Sequence, residues 1–270
     1  MPELPEIETI VRGVGPFLTG RRVAAVDVRE RRLRTLVATG FAAALGGRRV
    51  ERVGRHGKYL LATLDDGRVW LTHLGMSGQL TVGPSAPPPR AHDHIVVTLE
   101  DGGTLTYNDP RRFGRMAVLD ADAATRETGP GVDALSPDLT AALLFASTRK
   151  RRTAVKSLLM DQRCIAGLGN IYVNEILFRA GVRPRRRAAG LTRAESERIV
   201  DATRLVLADA IRRGGSSISD YRDGFGQLGC FQLHHQVYDR AGEPCRRCGT
   251  PVRGCVVVGR STFYCAVCQR

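Results

Sequence analysis

The first six residues, MPELPE, contain the strongest candidate for a nucleophile in the chain. A small residue after Met1 permits removal of that methionine, which leaves Pro2 with a free secondary amine. Such an amine titrates at about 7.7–8.0, so a fraction is neutral at pH 7, whereas lysine titrates near 10.4. The ordinary alternative is a proline that merely protects a frayed terminus. The stretch therefore raises the hypothesis that Pro2 attacks an electrophilic carbon.

The last thirty residues contain two Cys-x-x-Cys pairs separated by sixteen residues. Four thiolates at this spacing can surround one tetrahedral Zn²⁺ and leave no open coordination position, so the pattern predicts one structural zinc ion. The alternative is two disulfides, which an intracellular location disfavours. The predicted ligands are Cys245, Cys248, Cys265 and Cys268. The three remaining cysteines, Cys164, Cys230 and Cys255, are expected to be small buried apolar residues.

Three segments have residue types that suit a nucleic-acid ligand. In AGLGNIYVNE, Asn170 stands where it can cap the following helix or donate to an anion, and helix N-termini bind phosphate. Lys156 precedes this motif and adds positive charge. Arg260, on the cysteine hairpin, is either a phosphate contact or a solvated charge.

HLGMSG and DPRRFG place an apolar side chain and arginines in turns. Met76 is flanked by glycines, and Arg111 and Phe113 follow Asp109–Pro110. An apolar wedge with arginine on loop tips can enter a duplex and fill the space left by an extruded base. The alternative is that Met76 and Phe113 are core residues under hairpin turns.

The net charge agrees with a polyanionic partner. The chain has 41 basic and 27 acidic residues, a net charge of +14, spread along its length. Ribosomal contact, an anionic membrane surface or mere solubility would also fit. Lysine is rare, at positions 58, 150 and 156 only, which draws attention to the lysines that are retained. No apolar run approaches the roughly 18 residues of a membrane span, and the acidic start does not resemble a signal peptide, so we expect a cytosolic protein.

The periodicity of apolar residues changes along the chain. Residues 5–19 have helical spacing. From about 23 to 120 the pattern is typical of strands, with hairpin turns at 65–67 and 101–103, and it predicts an antiparallel sandwich or barrel. A linker is expected around 128–138, and helices follow it, including a long one from Thr192 to about Arg212.

In this order, MPELPE, RHGKYLL, HLGMSG, HDH at 92–94, YNDPRRFG, GLGNIYVNE and the four-cysteine hairpin resemble the formamidopyrimidine-DNA glycosylase family over essentially the whole chain. MPELPE and DPRRFG resemble its 8-oxoguanine branch, because the related endonuclease VIII branch typically begins MPEGPE. Two features depart from the family pattern: Asp239 stands where glycine is usual, and GFGQLGCF at 224–231 is unusual. The second departure bears on lesion preference.

The resemblance implies an α+β fold: an N-terminal antiparallel β-sandwich with an N-terminal helix, then a helix-two-turns-helix module and a zinc hairpin. The expected domains are 1–132, 133–230 and 231–270. Implied roles are Pro2 as Schiff-base nucleophile, Glu3 as general acid/base, and Glu6 in the lesion pocket. Lys58, in the catalytic group, would grip phosphates together with Asn170 and Arg260. The implied void-filling residues are Met76, Arg111 and Phe113, and the further DNA contacts are His92, Arg112 and Lys156.

The activity so implied is excision of oxidised purines from duplex DNA by a monomeric bacterial glycosylase that is also an abasic-site lyase, bound to the nucleoid. An oxidised-pyrimidine glycosylase of the endonuclease VIII type is the nearest alternative. A non-catalytic, damage-recognising protein is another, and the presence of Pro2, Glu3 and Lys58 together argues against it.

Overall fold

The computed structural model describes residues 1–85, 88–149, 151–217 and 222–270. These residues form two compact units. Unit one is Met1–Thr128 with Arg213–Cys230, and unit two is Gly129–Arg212 with Phe231–Arg270. Lys150 and part of the proline-rich loop at 83–90 lie outside the described residues. No helix in the described part of the chain is long and apolar enough to cross a membrane.

Unit one is built on two four-stranded antiparallel sheets. The first has the order β1-β6-β7-β5, from strands Val23–Val28, Asp93–Leu99, Thr104–Asn108 and Gln79–Gly83. The second has the order β2-β3-β4-β8, from strands Val50–His56, Tyr59–Leu64, Val69–His73 and Arg115–Leu119. Side chains from both sheets form one apolar core, in which Trp70 and Tyr107 are the largest fully buried residues. Both predicted hairpins, β3–β4 and β6–β7, are confirmed.

Helix α1, Leu4–Leu18, confirms the N-terminal helix predicted from apolar spacing. Its residues Ile7, Ile10, Val14 and Leu18 are buried in the same core. Proline is tolerated in the first turn of a helix because the N–H groups there have no intrahelical partner. The helix can therefore begin within MPELPE, so the candidate nucleophile lies at its N-terminal end.

One short helix interrupts the region predicted as strands, and a second one follows directly after it. They are α2, Phe41–Leu45, and α3, Ala121–Thr128. FAAAL lies between Gly40 and Gly46, too short for a helical period to be read from sequence. Phe41 and Leu45 are buried, so the tertiary core stabilises α2 where local propensity alone does not.

Unit two is mainly helical and confirms the predicted helices. They are α4, α5, α6 and α7, spanning Ala141–Thr148, Val155–Met160, Asn170–Ala180 and Arg193–Arg212. A two-residue parallel pair joins β9 and β10, Val132–Asp133 and Ile165–Ala166. The hairpin β11–β12, Arg253–Val257 and Arg260–Tyr264, completes the unit.

The described residues of the segment 213–230, namely 213–217 and 222–230, belong to unit one, although they follow α7 in the chain. Cys230 N donates to Arg213 O at 3.0 Å, which closes the segment at its base. Val82 N donates to Gly224 O, also at 3.0 Å, which joins the segment to β5. The three-domain division at 132 and 230 stays a prediction.

Candidate active site and nucleic-acid interface

The N-terminal end of α1 holds the candidate catalytic pair. Pro2 is buried, and Glu3, the residue that caps the helix, is 3% exposed. Glu3 N donates to Glu6 Oε2 at 2.8 Å. Carboxylates near the first turn are favoured by the helix dipole and by the unsatisfied N–H groups there. The structure thus places Pro2 and Glu3 in a desolvated, geometrically fixed end of a helix.

Glu6 connects this helix end to the segment 213–230. Its second carboxylate oxygen, Oε1, accepts a hydrogen bond from Ser216 N at 2.7 Å. Gly215 has φ +79°, and a Cβ there would lie 2.6 Å from Glu6 Oε1, so glycine is required. Sequence reasoning named Glu6 but missed Gly215 and Ser216, which only the fold brings to it. The lesion-pocket role of Glu6 stays a prediction.

Lys58 lies in the tight turn between β2 and β3. Gly57 and Lys58 are the two residues between the paired His56 and Tyr59, and Gly57 has φ +55°. Glycine at the first central position is what a type II′ hairpin turn needs. The Lys58 residue is 6% exposed, so it is largely withdrawn from bulk solvent.

His73, at the end of β4, is a neighbour that sequence reasoning missed. Burial, with the charge of Lys58 as the next cause, lowers the pKa of His73 to about 4. Its Nδ1 accepts a hydrogen bond from Gly75 N at 3.0 Å. A neutral His73 therefore holds the start of the loop that contains Met76.

Two loops present the candidate void-filling residues. We name residues 74–78 the methionine loop and residues 109–114 the arginine loop. Met76 is 40% exposed and Phe113 is 43% exposed, so neither is a core residue. The guanidinium carbon of Arg111 lies 4.8 Å from the centroid of the Phe113 ring, within the range of a cation–π contact.

A buried carboxylate, Asp109, joins these loops, and sequence reasoning did not assign it a role. Ser77 Oγ donates to Asp109 Oδ1 at 2.6 Å. Tyr107 Oη and Gly114 N donate to Oδ2, each at 2.9 Å. Burial, followed by the charge of Asp109, raises the pKa of Tyr107, so its hydroxyl stays protonated and donates.

The remaining candidates in unit one are His92 and Arg112, both exposed. They adopt left-handed backbone conformations, with φ +71° and +54°. Arg112 Nη1 lies 3.4 Å from Glu30 Oε2, an exposed ion pair that contributes little to stability. Their DNA contacts stay predictions.

Of the two roles that the sequence suggested for Asn170, helix capping is not observed, and the phosphate contact stays a prediction. Gly169 is the N-cap residue, in extended conformation, and Asn170 is the first residue of α6. In the described part of the chain, the buried Oδ1 of Asn170 has no hydrogen-bond partner. Gly169 has the extended backbone conformation typical of an N-cap residue, and Gly167, two residues earlier, has φ +102°. The side chain of Asn170 is thus not engaged in capping its own helix.

Lys156, predicted as a DNA contact, is 1% exposed. Its Nζ donates to Ser261 O and to Thr262 Oγ1, each at 2.7 Å. Both acceptors lie on β12 beside the exposed Arg260. Its contact with DNA stays a prediction, and the observed bonds show that Lys156 fastens α5 to the hairpin.

The four predicted zinc ligands converge. Their Sγ atoms lie within 4.8 Å of one another. The Cys245–Cys268 and Cys248–Cys265 Sγ pairs are 4.0 and 3.5 Å apart. Zn–S bonds of about 2.3 Å in a tetrahedron require sulfur atoms about 3.8 Å apart, so the donor set fits zinc. The expectation for the other cysteines is wrong: Cys230 is exposed, and Cys164 and Cys255 are partly exposed.

Comparison with known proteins agrees with this arrangement. The chain matches the formamidopyrimidine-DNA glycosylase N-terminal domain over residues 1–116, the H2TH domain of the same proteins over 131–222, and the zinc finger found in FPG and IleRS over 242–270. A formamidopyrimidine-DNA glycosylase of Azorhizobium caulinodans is 45% identical over 295 residues, and one of Burkholderia pseudomallei is 48% identical over 279; each match covers 100% of both chains. The chain belongs to the formamidopyrimidine-DNA glycosylase family.

Solved structures of the family have the same fold. The MutM (Fpg) protein of Thermus thermophilus is 41% identical, with a TM-score of 0.87 over 99% of this chain and 98% of that one. The Lactococcus lactis Fpg in complex with DNA containing an abasic site is 32% identical, with a TM-score of 0.90 over 99% of each chain. The predicted α+β fold class, with its helix-two-turns-helix module and zinc hairpin, is confirmed. Asp239, which stands where the family usually has glycine, has φ +58°, a left-handed conformation that aspartate adopts more readily than most residues.

Proposed function

We propose that this glycosylase excises oxidised purines, namely 8-oxoguanine and formamidopyrimidines, from duplex DNA and then cleaves the abasic strand. The observation that carries the proposal is the buried Pro2–Glu3 pair at the N-terminal end of α1. The curated relatives are named formamidopyrimidine-DNA glycosylase, and that name supports oxidised purines rather than oxidised pyrimidines as the substrate of this chain.

The chemistry begins with removal of Met1, which is 48% exposed. The neutral nitrogen of Pro2 attacks C1′ of the damaged nucleotide. The bond between C1′ and the base breaks, and the base leaves with the electron pair and takes up a proton. The nitrogen loses its proton to a base as the N–C1′ bond forms. Cleavage of the C1′–O4′ bond, with protonation of O4′, then opens the sugar ring and gives an iminium that carries no N–H proton.

The iminium makes the C2′ proton acidic, and its removal expels the 3′ phosphate. A second elimination expels the 5′ phosphate, and water then hydrolyses the iminium and restores the amine. Glu3 exchanges the protons at the sugar and at the leaving base. The positive end of α1 favours the neutral form of Pro2, and the Glu3 carboxylate favours the charged form.

DNA binding is assigned to residues of both units. Lys58, Asn170 and Arg260 contact phosphates that flank the extruded nucleotide, and Glu6 lines the lesion pocket. Met76, Arg111 and Phe113 fill the vacated space and face the orphaned cytosine; their exposure on two turns supports this role. His92, Arg112 and Lys156 complete the predicted DNA-binding set, with Lys156 acting through the hairpin to which it is bonded.

One structural zinc ion, held by Cys245, Cys248, Cys265 and Cys268, stabilises the hairpin. Four protein ligands leave the ion no open position for substrate. The small hairpin core contains Phe178, Val237 and Val252 beside two of the cysteines. Removing the metal should therefore unfold the hairpin and abolish DNA binding, while the β-rich unit one stays folded. The proposal further takes the enzyme to be a monomer that works on the bacterial nucleoid.

The test is borohydride trapping on a duplex with 8-oxoguanine opposite cytosine. Borohydride reduces the iminium, so a covalent adduct that maps to Pro2 by mass spectrometry is expected. One extra residue placed before Pro2 converts the amine into an amide, and both adduct and strand cleavage should vanish while lesion binding survives. An adduct on Lys58 or Lys156, or one that persists with Pro2 blocked, would refute the mechanism. A duplex with an oxidised pyrimidine is the comparison substrate and should be processed more slowly.

A further inference from the structure

We propose that Ser77 and Tyr107 are positioning residues: through Asp109 they hold the methionine loop and the arginine loop in one fixed register, and base extrusion depends on that register. The inference rests on the proposed function. It adds two residues that act on the void-filling side chains without themselves touching DNA.

The topology brings the two loops together at one end of the sandwich. The methionine loop passes from β4 to β5, and the arginine loop passes from β7 to β8, so each crosses from one sheet to the other. β4 pairs with β8, and β5 pairs with β7. The flanking residues are paired as well, His73 with Arg115 and Gln79 with Asn108. The loops therefore begin and end side by side.

Asp109 is the link between them, and it is 0% exposed. Its carboxylate accepts hydrogen bonds from Ser77 in the methionine loop, Gly114 in the arginine loop and Tyr107 in β7. Ser77 Oγ also accepts a hydrogen bond from Arg111 N at 3.2 Å. Hydrogen bonds to a charged, buried acceptor are stronger than neutral ones. This chain of bonds runs from one loop through the carboxylate into the other.

The backbones of the methionine loop and the arginine loop lie so close together that neither loop has room to shift. A Cβ added to Gly75 would lie 2.3 Å from the carbonyl carbon of Phe113. A Cβ added to Gly114 would lie 1.8 Å from Tyr107 Oη. Both glycines are therefore required by contacts between the loops or beneath them. The backbones touch, and the Asp109 bonds set where they touch.

The consequence concerns one step of the reaction. Met76 and Phe113 are exposed at the tips of these loops and must replace a base in the stack together. A looser clamp lets the tips move independently and raises the cost of holding the damaged base outside the duplex. An abasic site has no base to extrude, so its cleavage depends much less on this register.

The experiment compares Ser77→Ala and Tyr107→Phe with a matched control, Thr72→Val. The Thr72 hydroxyl is equally buried, on neighbouring β4, and in the part of the chain that the structure describes it has no hydrogen-bond partner. Each variant is assayed in single turnover on a duplex with 8-oxoguanine and on one with a pre-formed abasic site. Stopped-flow fluorescence of 2-aminopurine beside the lesion reports extrusion. Thermal unfolding shows that each variant is folded.

We expect Ser77→Ala and Tyr107→Phe to slow 8-oxoguanine excision and the extrusion signal about tenfold. Cleavage of the abasic duplex should stay within about twofold of wild type, because the chemistry is intact. Thr72→Val should match wild type on both substrates. Equal losses on both substrates, or none, would overturn the positioning role, and if one variant does not fold the other decides. If wild type itself forms no borohydride adduct with the abasic duplex, the proposed function fails instead.

Discussion

Replacing Lys156 with methionine tests whether its ammonium group has a structural role or contacts a DNA phosphate. The side chain is 1% exposed and makes two hydrogen bonds of 2.7 Å to β12. A hydrogen bond from a charged donor contributes about 1.5–3 kcal/mol, so the gross loss is roughly 3–6 kcal/mol. Thr262 Oγ1 keeps its bond to Arg260 O at 2.9 Å. Removing a buried charge returns part of its desolvation cost, so we expect a net loss of about 2–4 kcal/mol in the free energy of unfolding.

Two measurements on the zinc-loaded protein read out this change. Lys156→Met should accelerate zinc release to a chromogenic chelator, because the hairpin loses its attachment to α5. Its binding to a duplex with an abasic-site analogue should weaken with an unchanged slope of log K against log salt. The matched control is Arg260→Met on the same hairpin. Arg260 is exposed, so this variant should keep its zinc and lower the slope by about one unit.

The opposite pattern would refute this reasoning. If Lys156→Met retained zinc as wild type does and lowered the salt slope by about one unit, the ammonium would contact a phosphate in the complex. Lys156 would then be the direct DNA contact that the sequence suggested, and its bonds to β12 would be exchanged on binding.

Three further predictions concern stability. Gly215→Ala should lower the free energy of unfolding, measured in urea, by about 3 kcal/mol, because it combines left-handed strain with a lost hydrogen bond to Glu6. The control Gly20→Ala, at φ +82° with open space around it, should lose only about 1–2 kcal/mol, and equal losses would contradict the contact with Glu6. The pKa of His73 is about 4 in the folded protein against 6.5 ordinarily, so the unfolded chain binds the extra proton and the free energy of unfolding should fall by up to about 3 kcal/mol from pH 6.5 to 4. In urea unfolding, His73→Gln should flatten this dependence of stability on pH, and an unchanged dependence would show that His73 is not its source. Val258 is β-branched with φ +47°, so Val258→Asn should stabilise the hairpin by about 1 kcal/mol. The variant should lose zinc to a chelator more slowly than wild type, and faster loss would contradict the strain at Val258.

Local patterns predicted those features that depend on neighbours in the chain. Helix α1, the two hairpins and the four-cysteine cluster follow from periodicity, turn residues and spacing, which act over a few residues. The sequence alone did not decide whether Asn170 caps α6 or contacts a phosphate, because its position beside glycines suits both roles; in the structure the N-cap residue is Gly169.

What the sequence by itself determined is the chemical inventory: a terminal proline amine beside a glutamate, four thiols in two pairs, and apolar and basic residues on turns. Tertiary structure alone decided which polar groups are buried and what they bind. Ser77 meets Asp109 across 32 residues, Lys156 meets Thr262 across 106, and Glu6 meets Ser216 across 210. Such contacts leave no periodic trace, because a buried charge is tolerated only where the whole fold supplies its hydrogen-bond partners.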